Sequence, residues 1–334
     1  MKNTFHLRFL KCLMFILFFP LFLFGQEKSP QTVTYKEYLL PVTVDLNARE
    51  PFAIMTEFAM RSNDSMYSKR NFWKNYQNEN TVNQVTYDYE EKLKLTDFSI
   101  VPSRKEYKPH PDKTFPSYDM LKGDSLYVAG ITDILLFHFV ENTHQFIFFA
   151  NIKDANLSYA TNKIIITNTL AELFPFWAHD ICFFKDGLIF YQNDSVLFVD
   201  PLGKQNIEPI LLYKYENDSG NYAHTKLSIK DTNWILEYSD DIIVNGISIK
   251  EKNGYSKTFD YCYINDKPFY FYEKDSLVYI SYDNKTLPYS YKEVFHYGCC
   301  AYFVLNLETY KNMIWFHAQK EDGNWCYIEI ELFE

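Results

Sequence analysis

The sequence predicts an all-β chain built as a β-propeller or propeller-like repeat array, and three observations carry that expectation. The chain holds 28 tyrosines and 30 phenylalanines in 334 residues, and aromatic side chains suit a pleated, half-buried surface. From about residue 120 onward, short apolar runs alternate with turn dipeptides. A tripeptide of Asp, Ser and Leu or Val opens an aromatic run at Asp124, Asp194 and Asp275, spacings that fit pairs of units of roughly 35 to 40 residues. On that basis residues 88–334 have room for about six units of four strands. Two packed β-sandwich-like domains are the alternative, and only 10 glycines count against a regular propeller. The excess of Lys, Asn, Ile and Tyr also fits a compositional bias of the source genome, which weakens a purely functional reading of the aromatics.

The individual elements follow from turn chemistry. "GLIFYQNDSVLFVD" (Gly187 to Asp200) places two β-rich runs around Asn193 and Asp194, residues that tolerate turn conformations. "KPFYFYEKDSLVYISYD" (Lys267 to Asp283) repeats the plan around Lys274 and Asp275. "NMIWFHAQKEDGNWCYIEIELF" repeats it again with a turn at Asp322-Gly323. Further strand ends are expected at Asp186-Gly187, Asn245-Gly246 and Asn253-Gly254. Helix is expected in two places. Ala48 to Asn63 has apolar residues at near-helical spacing, and Asn168 to Phe174 could make two turns before Pro175.

Residues 1–25 read as a secretory signal: Lys2, Arg8 and Lys11 precede an apolar run from Leu13 to Phe24, and Gly25 offers a small residue for cleavage. The run is shorter than the roughly 20 residues a membrane span needs, so an uncleaved anchor is the lesser reading. Cys12 lies ahead of the run, which disfavours a lipoprotein. Residues 26–87 are expected to form a less regular N-terminal region, and the chain is expected to be secreted or periplasmic without a stable membrane span. The formal charge of −10 becomes more negative once the three basic residues of the signal are removed. Nucleic-acid binding needs a basic patch, and "YSKR" at Tyr67 to Arg70 is the only local cluster, so no nucleic-acid partner is expected.

The C-terminal third carries the densest chemistry. "INDKPFYFYEKDSLVYISYDNKTLPYSYKEVFHYGCC" (Ile264 to Cys300) and the stretch from Asn312 to Glu334 resemble the end of a group of secreted bacterial β-rich proteins. Those share a Lys-Pro-Phe-Tyr-Phe strand and a His-Tyr-x-Cys-Cys element. The resemblance spans about 70 residues and implies no activity. Five cysteines follow the signal: Cys182, Cys262, Cys299, Cys300 and Cys326. An odd number in an oxidising compartment leaves one thiol over, and adjacent cysteines bridge each other only through a strained ring. The expectation is therefore a structural disulfide joining Cys299 or Cys300 to Cys262 or Cys326. A zinc site using His296 with Cys299 or Cys300 is the sharper alternative, but no second cysteine or histidine pair supplies the missing ligands. No metal and no cofactor are expected.

Catalytic signatures are mostly absent: there is no nucleophile elbow, no zincin helix, no phosphate loop and no dinucleotide fingerprint. His179 and Asp180 are weak acid/base candidates, and Asp240-Asp241 reads as a turn. Exposed Trp or Tyr on a rigid β-surface would stack on sugars or apolar ligands, with Trp73, Trp177, Trp234, Trp315 and Trp325 as candidates, although alternation points most of them inward. Asp-Ser followed by Met, Leu or Val marks Ser65, Ser125, Ser195 and Ser276, a pattern that resembles an O-glycosylation signal of some secreting bacteria. The sum is a secreted or periplasmic binding protein for a protein or polysaccharide partner, without identifiable catalytic chemistry. A secreted hydrolase with a site assembled from loops of several units is the alternative, and a structural or metal-bound envelope component the third reading.

Overall fold

The computed structural model describes residues 33–40, 55–56, 89–103, 107–110, 113–115, 117–153, 161–174, 179–202, 207–215, 225–297 and 304–333. These residues are almost entirely β. In chain order, β1 (Val33–Leu39) and helix α1 (Tyr89–Leu93) precede a six-stranded first sheet. That sheet contains β2 (Phe98–Pro102), β5 (Tyr118–Lys122), β6 (Ser125–Val140), β7 (Gln145–Lys153), β8 (Thr161–Thr167) and β9 (Ala171–Leu173), joined in that order, while β3 (Tyr107–His110) and β4 (Lys113–Phe115) form a separate hairpin.

Three four-stranded antiparallel meanders follow. The second sheet is β10 (His179–Phe184), β11 (Gly187–Gln192), β12 (Ser195–Val199) and β13 (Ile210–Lys214). The third is β14 (Thr225–Lys230), β15 (Asn233–Tyr238), β16 (Asp241–Val244) and β17 (Ile247–Ser248), followed by helix α2 (Ile249–Asn253). The fourth is β18 (Lys257–Ile264), β19 (Lys267–Lys274), β20 (Leu277–Tyr282) and β21 (Lys285–Tyr291). The fifth sheet runs β1-β25-β24-β22, with β22 (Glu293–Val294), β23 (Glu308–Tyr310) paired to β24 (Met313–Gln319), and β25 (Trp325–Leu332). Its outer strand β1 comes from the stretch expected to be irregular, and pairs antiparallel with β25 from Val33↔Leu332 to Leu39↔Cys326.

The period of two along each strand explains why both faces are apolar. Ile147 and Phe149 of β7 pack toward Leu188 and Phe190 of the second sheet, whereas Phe146 and Phe148 face the cluster around α1. Ile189 and Tyr191 join Leu236 and Tyr238 of the third sheet, while Ile235 meets Tyr270 and Tyr272 of the fourth. Phe269 and Phe271 pack on Ile314 and Phe316 of the fifth. Each sheet thus shares a core with the next one in the chain, and each fully buried aromatic contributes about 1.5–3 kcal/mol. Trp234 lies in the core shared by the second and third sheets, Trp315 and Trp325 are buried in a separate cluster of the fifth sheet with Leu40 and Met55, as alternation suggests, and Trp73 and Trp177 fall outside the described residues.

Turns match sequence chemistry closely at several places. Gln192 and Ser195 face each other across Asn193 and Asp194, both left-handed at φ 44° and 59°, the backbone of a two-residue hairpin that follows strand twist. Asn245 and Gly246 do the same between β16 and β17. At the next hairpin the turn is Asp275-Ser276, one residue later than expected, because Lys274 pairs with Leu277. Asn253-Gly254 ends helix α2 instead of a strand, with Gly254 at φ 69° as its left-handed cap. Asn168 to Phe174 is not helical: the Asn168 side chain accepts from Phe146 N at 2.9 Å, Thr167 Oγ1 accepts from Leu170 N at 3.0 Å, and Ala171–Leu173 continues as β9. Local side-chain bonds to the backbone have overridden helix propensity there. Of the Ala48–Asn63 helix, only Met55 and Thr56 are described, both helical.

Candidate functional site

The fourth sheet opens with an irregularity. Phe259 pairs with Phe271 and Cys262 with Phe269, so two residues, Asp260 and Tyr261, stand opposite one on β19, and Asp260 takes the left-handed φ of 56°. A bulge frees backbone N–H groups from the ladder, and Glu237 at the end of β15 takes them. Its Oε1 accepts from Asp260 N at 2.6 Å and its Oε2 from Tyr261 N at 3.1 Å. Tyr297 donates its hydroxyl to Glu237 Oε1 at 2.6 Å, with the Ser239 carbonyl 3.0 Å away. Glu237 is buried, and its carboxylate ties the third sheet, the bulge and the segment after β22 together.

Around this knot lies a cavity of about 280 Å³, bounded by Thr225, Lys226, Glu237, Asp260, Cys262, Tyr297 and Thr309, with Tyr261 and Leu307 completing its wall. Asp260 is half-buried as a residue, yet its Oδ2 is out of solvent contact and has no hydrogen-bond partner. Burial, reinforced by the negative charge of Glu237 and opposed by Lys226, holds its carboxyl well above the usual carboxylate range. Burial likewise pushes the Cys262 thiol up to about 12, which makes it a poor nucleophile. Tyr297 is raised for the same reason, with Glu237 adding to it.

A second and larger concavity, about 540 Å³, opens between the third and fourth sheets. Four tyrosines line it: Tyr255, Tyr261, Tyr263 and Tyr270. Tyr255 stacks on Tyr272 at 4.0 Å between centroids, Tyr261 lies parallel to Tyr270 at 6.0 Å, and Tyr261 donates its hydroxyl to Tyr263 at 3.2 Å. Asn233, Asn245, Asn253 and Asn284 supply amides, Ile247 is exposed on the rim, and Lys252 is the one charged lining residue. Helix α2 places Lys252 and Asn253 there, and it is anchored from below. The buried Asp241 accepts from Ser248 Oγ at 2.6 Å, and Ser248 Oγ caps the helix by accepting from Glu251 N at 2.9 Å. Burial raises the phenol of Tyr255 above its ordinary value. Tyr261 belongs to both concavities.

The residues singled out by sequence divide between these places. His296 sits behind the smaller cavity, stacked on Phe259 at 4.1 Å and edge-on to Tyr297 at 4.6 Å. Its Nδ1 donates to the Val294 carbonyl at 2.8 Å, and burial lowers its pKa, so it is a neutral packing residue. Cys299 and Cys300 lie outside the described residues. The expected staple to Cys262 or Cys326 is not formed, since both are free thiols, as is Cys182. Cys326 is instead buried on β25 with its thiol 3.7 Å from Glu37 Oε1. Among the described residues no three His, Cys, Asp or Glu side chains converge into a cation-holding cluster. Asp180 spends its carboxylate on Leu227 N at 3.0 Å, and His179 opens β10. Ser125 and Ser276 are exposed and Ser195 half-buried, all at hairpin turns, while Ser65 lies outside the described residues.

Sequence reasoning missed Glu237 and Asp260. One signal could have found Asp260: "HDICFF" and "FDYCYI" repeat an Asp-x-Cys-aromatic pattern ahead of the Asp194-Ser195 and Asp275-Ser276 hairpins. Both copies form bulged first strands with the Asp left-handed, at φ 48° for Asp180 and 56° for Asp260.

No family model and no curated protein matches the chain. Solved structures resemble it only loosely. The AfRom2 CNH domain aligns over 66% of this chain and 90% of its own, at 9% identity and a TM-score of 0.28. Kluyveromyces lactis Hsv2p aligns over 59% and 60%, at 13% identity and 0.29. Citrobacter koseri AztD aligns over 70% and 74%, at 10% identity and 0.31.

Proposed function

We propose that this chain is a secreted or periplasmic, propeller-like binding protein whose tyrosine- and asparagine-lined groove holds a segment of polysaccharide. The observation that carries the reading is the composition of the groove: four tyrosines, four asparagines and a single charge on rigid β-structure. Sugar rings present apolar C–H faces and rims of hydroxyls, which aromatic rings and amides match respectively. The propeller reading is supported by three successive four-stranded meanders that share cores in series, and by an N-terminal strand completing the last sheet.

The hydrolase alternative draws on the Glu237 and Asp260 pair. Both oxygens of Glu237 are engaged by the bulge, however, so it is committed to structure and not free to activate water. Affinity electrophoresis in gels containing soluble neutral polysaccharides tests the proposal. At least one polysaccharide should retard the wild type, and Tyr255→Ala with Tyr263→Ala should abolish retardation while leaving thermal unfolding within a few degrees. Retardation unchanged in the double variant, or release of reducing ends by the wild type, would overturn it.

A further inference from the structure

The smaller cavity is not explained by polysaccharide binding in the groove, and its wall contains an unsatisfied group. Burying a polar atom without a partner costs about 1–3 kcal/mol, so native structures rarely keep one without a reason. Asp260 Oδ2 is such an atom. Its surroundings state what would satisfy it. Glu237 from β15 stands next to it, Cys262 follows on its own strand, Tyr297 and Tyr261 contribute rings, and Lys226 from β14 is the only basic residue of the wall and is exposed. An anion would meet two acidic side chains there. A metal ion would lack ligands among the described residues. An organic cation would bring N–H donors to the Asp260 carboxyl and lie beside the rings of Tyr261 and Tyr297, which line the cavity.

We propose that this cavity binds a protonated primary amine, its ammonium group paired with the Asp260 carboxylate beside Glu237 and against the rings of Tyr261 and Tyr297. Burial favours the protonated form of Asp260, so pairing with an ammonium group draws it toward the carboxylate and its proton passes to the buffer. The ligand keeps all its own protons. The cavity is large enough for a group of about one sugar ring, which makes glucosamine a suitable probe and N-acetylglucosamine its uncharged control.

The test is calorimetric titration of the full chain with glucosamine, N-acetylglucosamine and glucose, in two buffers of different ionisation enthalpy that contain no primary amine. Glucosamine should bind at least tenfold more tightly than the other two, with proton release to the buffer at any pH where Asp260 of the free protein is still protonated. Its affinity should rise with pH until Asp260 of the free protein has given up its proton, and level off above that point. Asp260→Asn should lose at least tenfold in glucosamine affinity together with the proton release, and asparagine tolerates the left-handed backbone at this position. Equal binding of all three sugars would place the interaction in the groove and overturn the proposal. So would glucosamine binding that is independent of pH, absent in the wild type, or unchanged in Asp260→Asn. Polysaccharide retardation by the Asp260→Asn protein keeps the two sites distinguishable, since the groove reading expects it to persist.

Discussion

β10 and β18 each open a four-stranded sheet, each break register once, and each place Asp-x-Cys at the break, Asp180-Ile181-Cys182 in one and Asp260-Tyr261-Cys262 in the other. In the first, the Asp180 carboxylate reaches Leu227 N on the first strand of the next sheet and becomes a strut between sheets. In the second, the Asp260 side chain bounds a cavity, and its backbone is held from behind by Glu237. The same local backbone device therefore gives a closed joint where a donor is in reach and an open one where it is not. An unpartnered carboxyl oxygen beside a cavity and a structural strut thus arise from one local conformation.

Removing the clamp should have the largest effect. Glu237→Ala strands two backbone N–H groups and removes one acceptor of the Tyr297 hydroxyl, and should destabilise by about 2–4 kcal/mol in urea unfolding. Asp180→Ala, which leaves only Leu227 N without its acceptor, should cost about 1–2 kcal/mol in the same assay. Asp260→Asn should have the opposite sign at pH 8. Because the folded-state pKa of Asp260 is raised, its contribution is fully present below about pH 4 and is lost as pH rises through that pKa. An asparagine does not titrate, so the variant should match wild type near pH 4 and gain on it progressively as pH rises through the titration of Asp260, followed by urea unfolding across that range. His296, whose pKa burial lowers, makes both proteins less stable as pH falls below about 6.5, and this cancels in the difference. The smallest contrast is in thiol chemistry. Both thiols are raised by burial, Cys262 to about 12, and the more accessible Cys182 should react faster with a disulfide reagent at pH 8.

Much of the fold was legible because turn residues state their own conformation. Asn193-Asp194 and Asn245-Gly246 sit where a left-handed backbone is needed, and few other residues fill that role without strain. The misread segments have physical causes. Asn168 to Phe174 has a plausible helical spacing, but Thr167 and Asn168 satisfy backbone groups with their side chains and so hold a hairpin instead. The site was harder to see. The first half of the His-Tyr-x-Cys-Cys element does reach it, since Tyr297 lines the cavity and His296 supports it. The odd cysteine count points to bridges, whereas Cys262 is a free, half-buried thiol in the cavity wall. Glu237 carries no motif. Its role exists only because a bulge on another sheet presents two N–H groups to it, and nothing in its own neighbourhood announces that.

The pairing of β1 with β25 has a consequence for how the chain reaches this state. Lys320 and Glu37, 283 residues apart, form an ion pair across the fifth sheet, so its edge is finished by the beginning of the chain and its centre by the end. Closing so long a loop delays that step, and until it happens β25 offers an open edge to any neighbouring copy. Assembly of the other four sheets can proceed as synthesis advances, but the last one waits for residue 332. A chain shortened by a single hairpin at the C-terminus would leave β1 without its partner and should accumulate as aggregate, however sound its first 300 residues are.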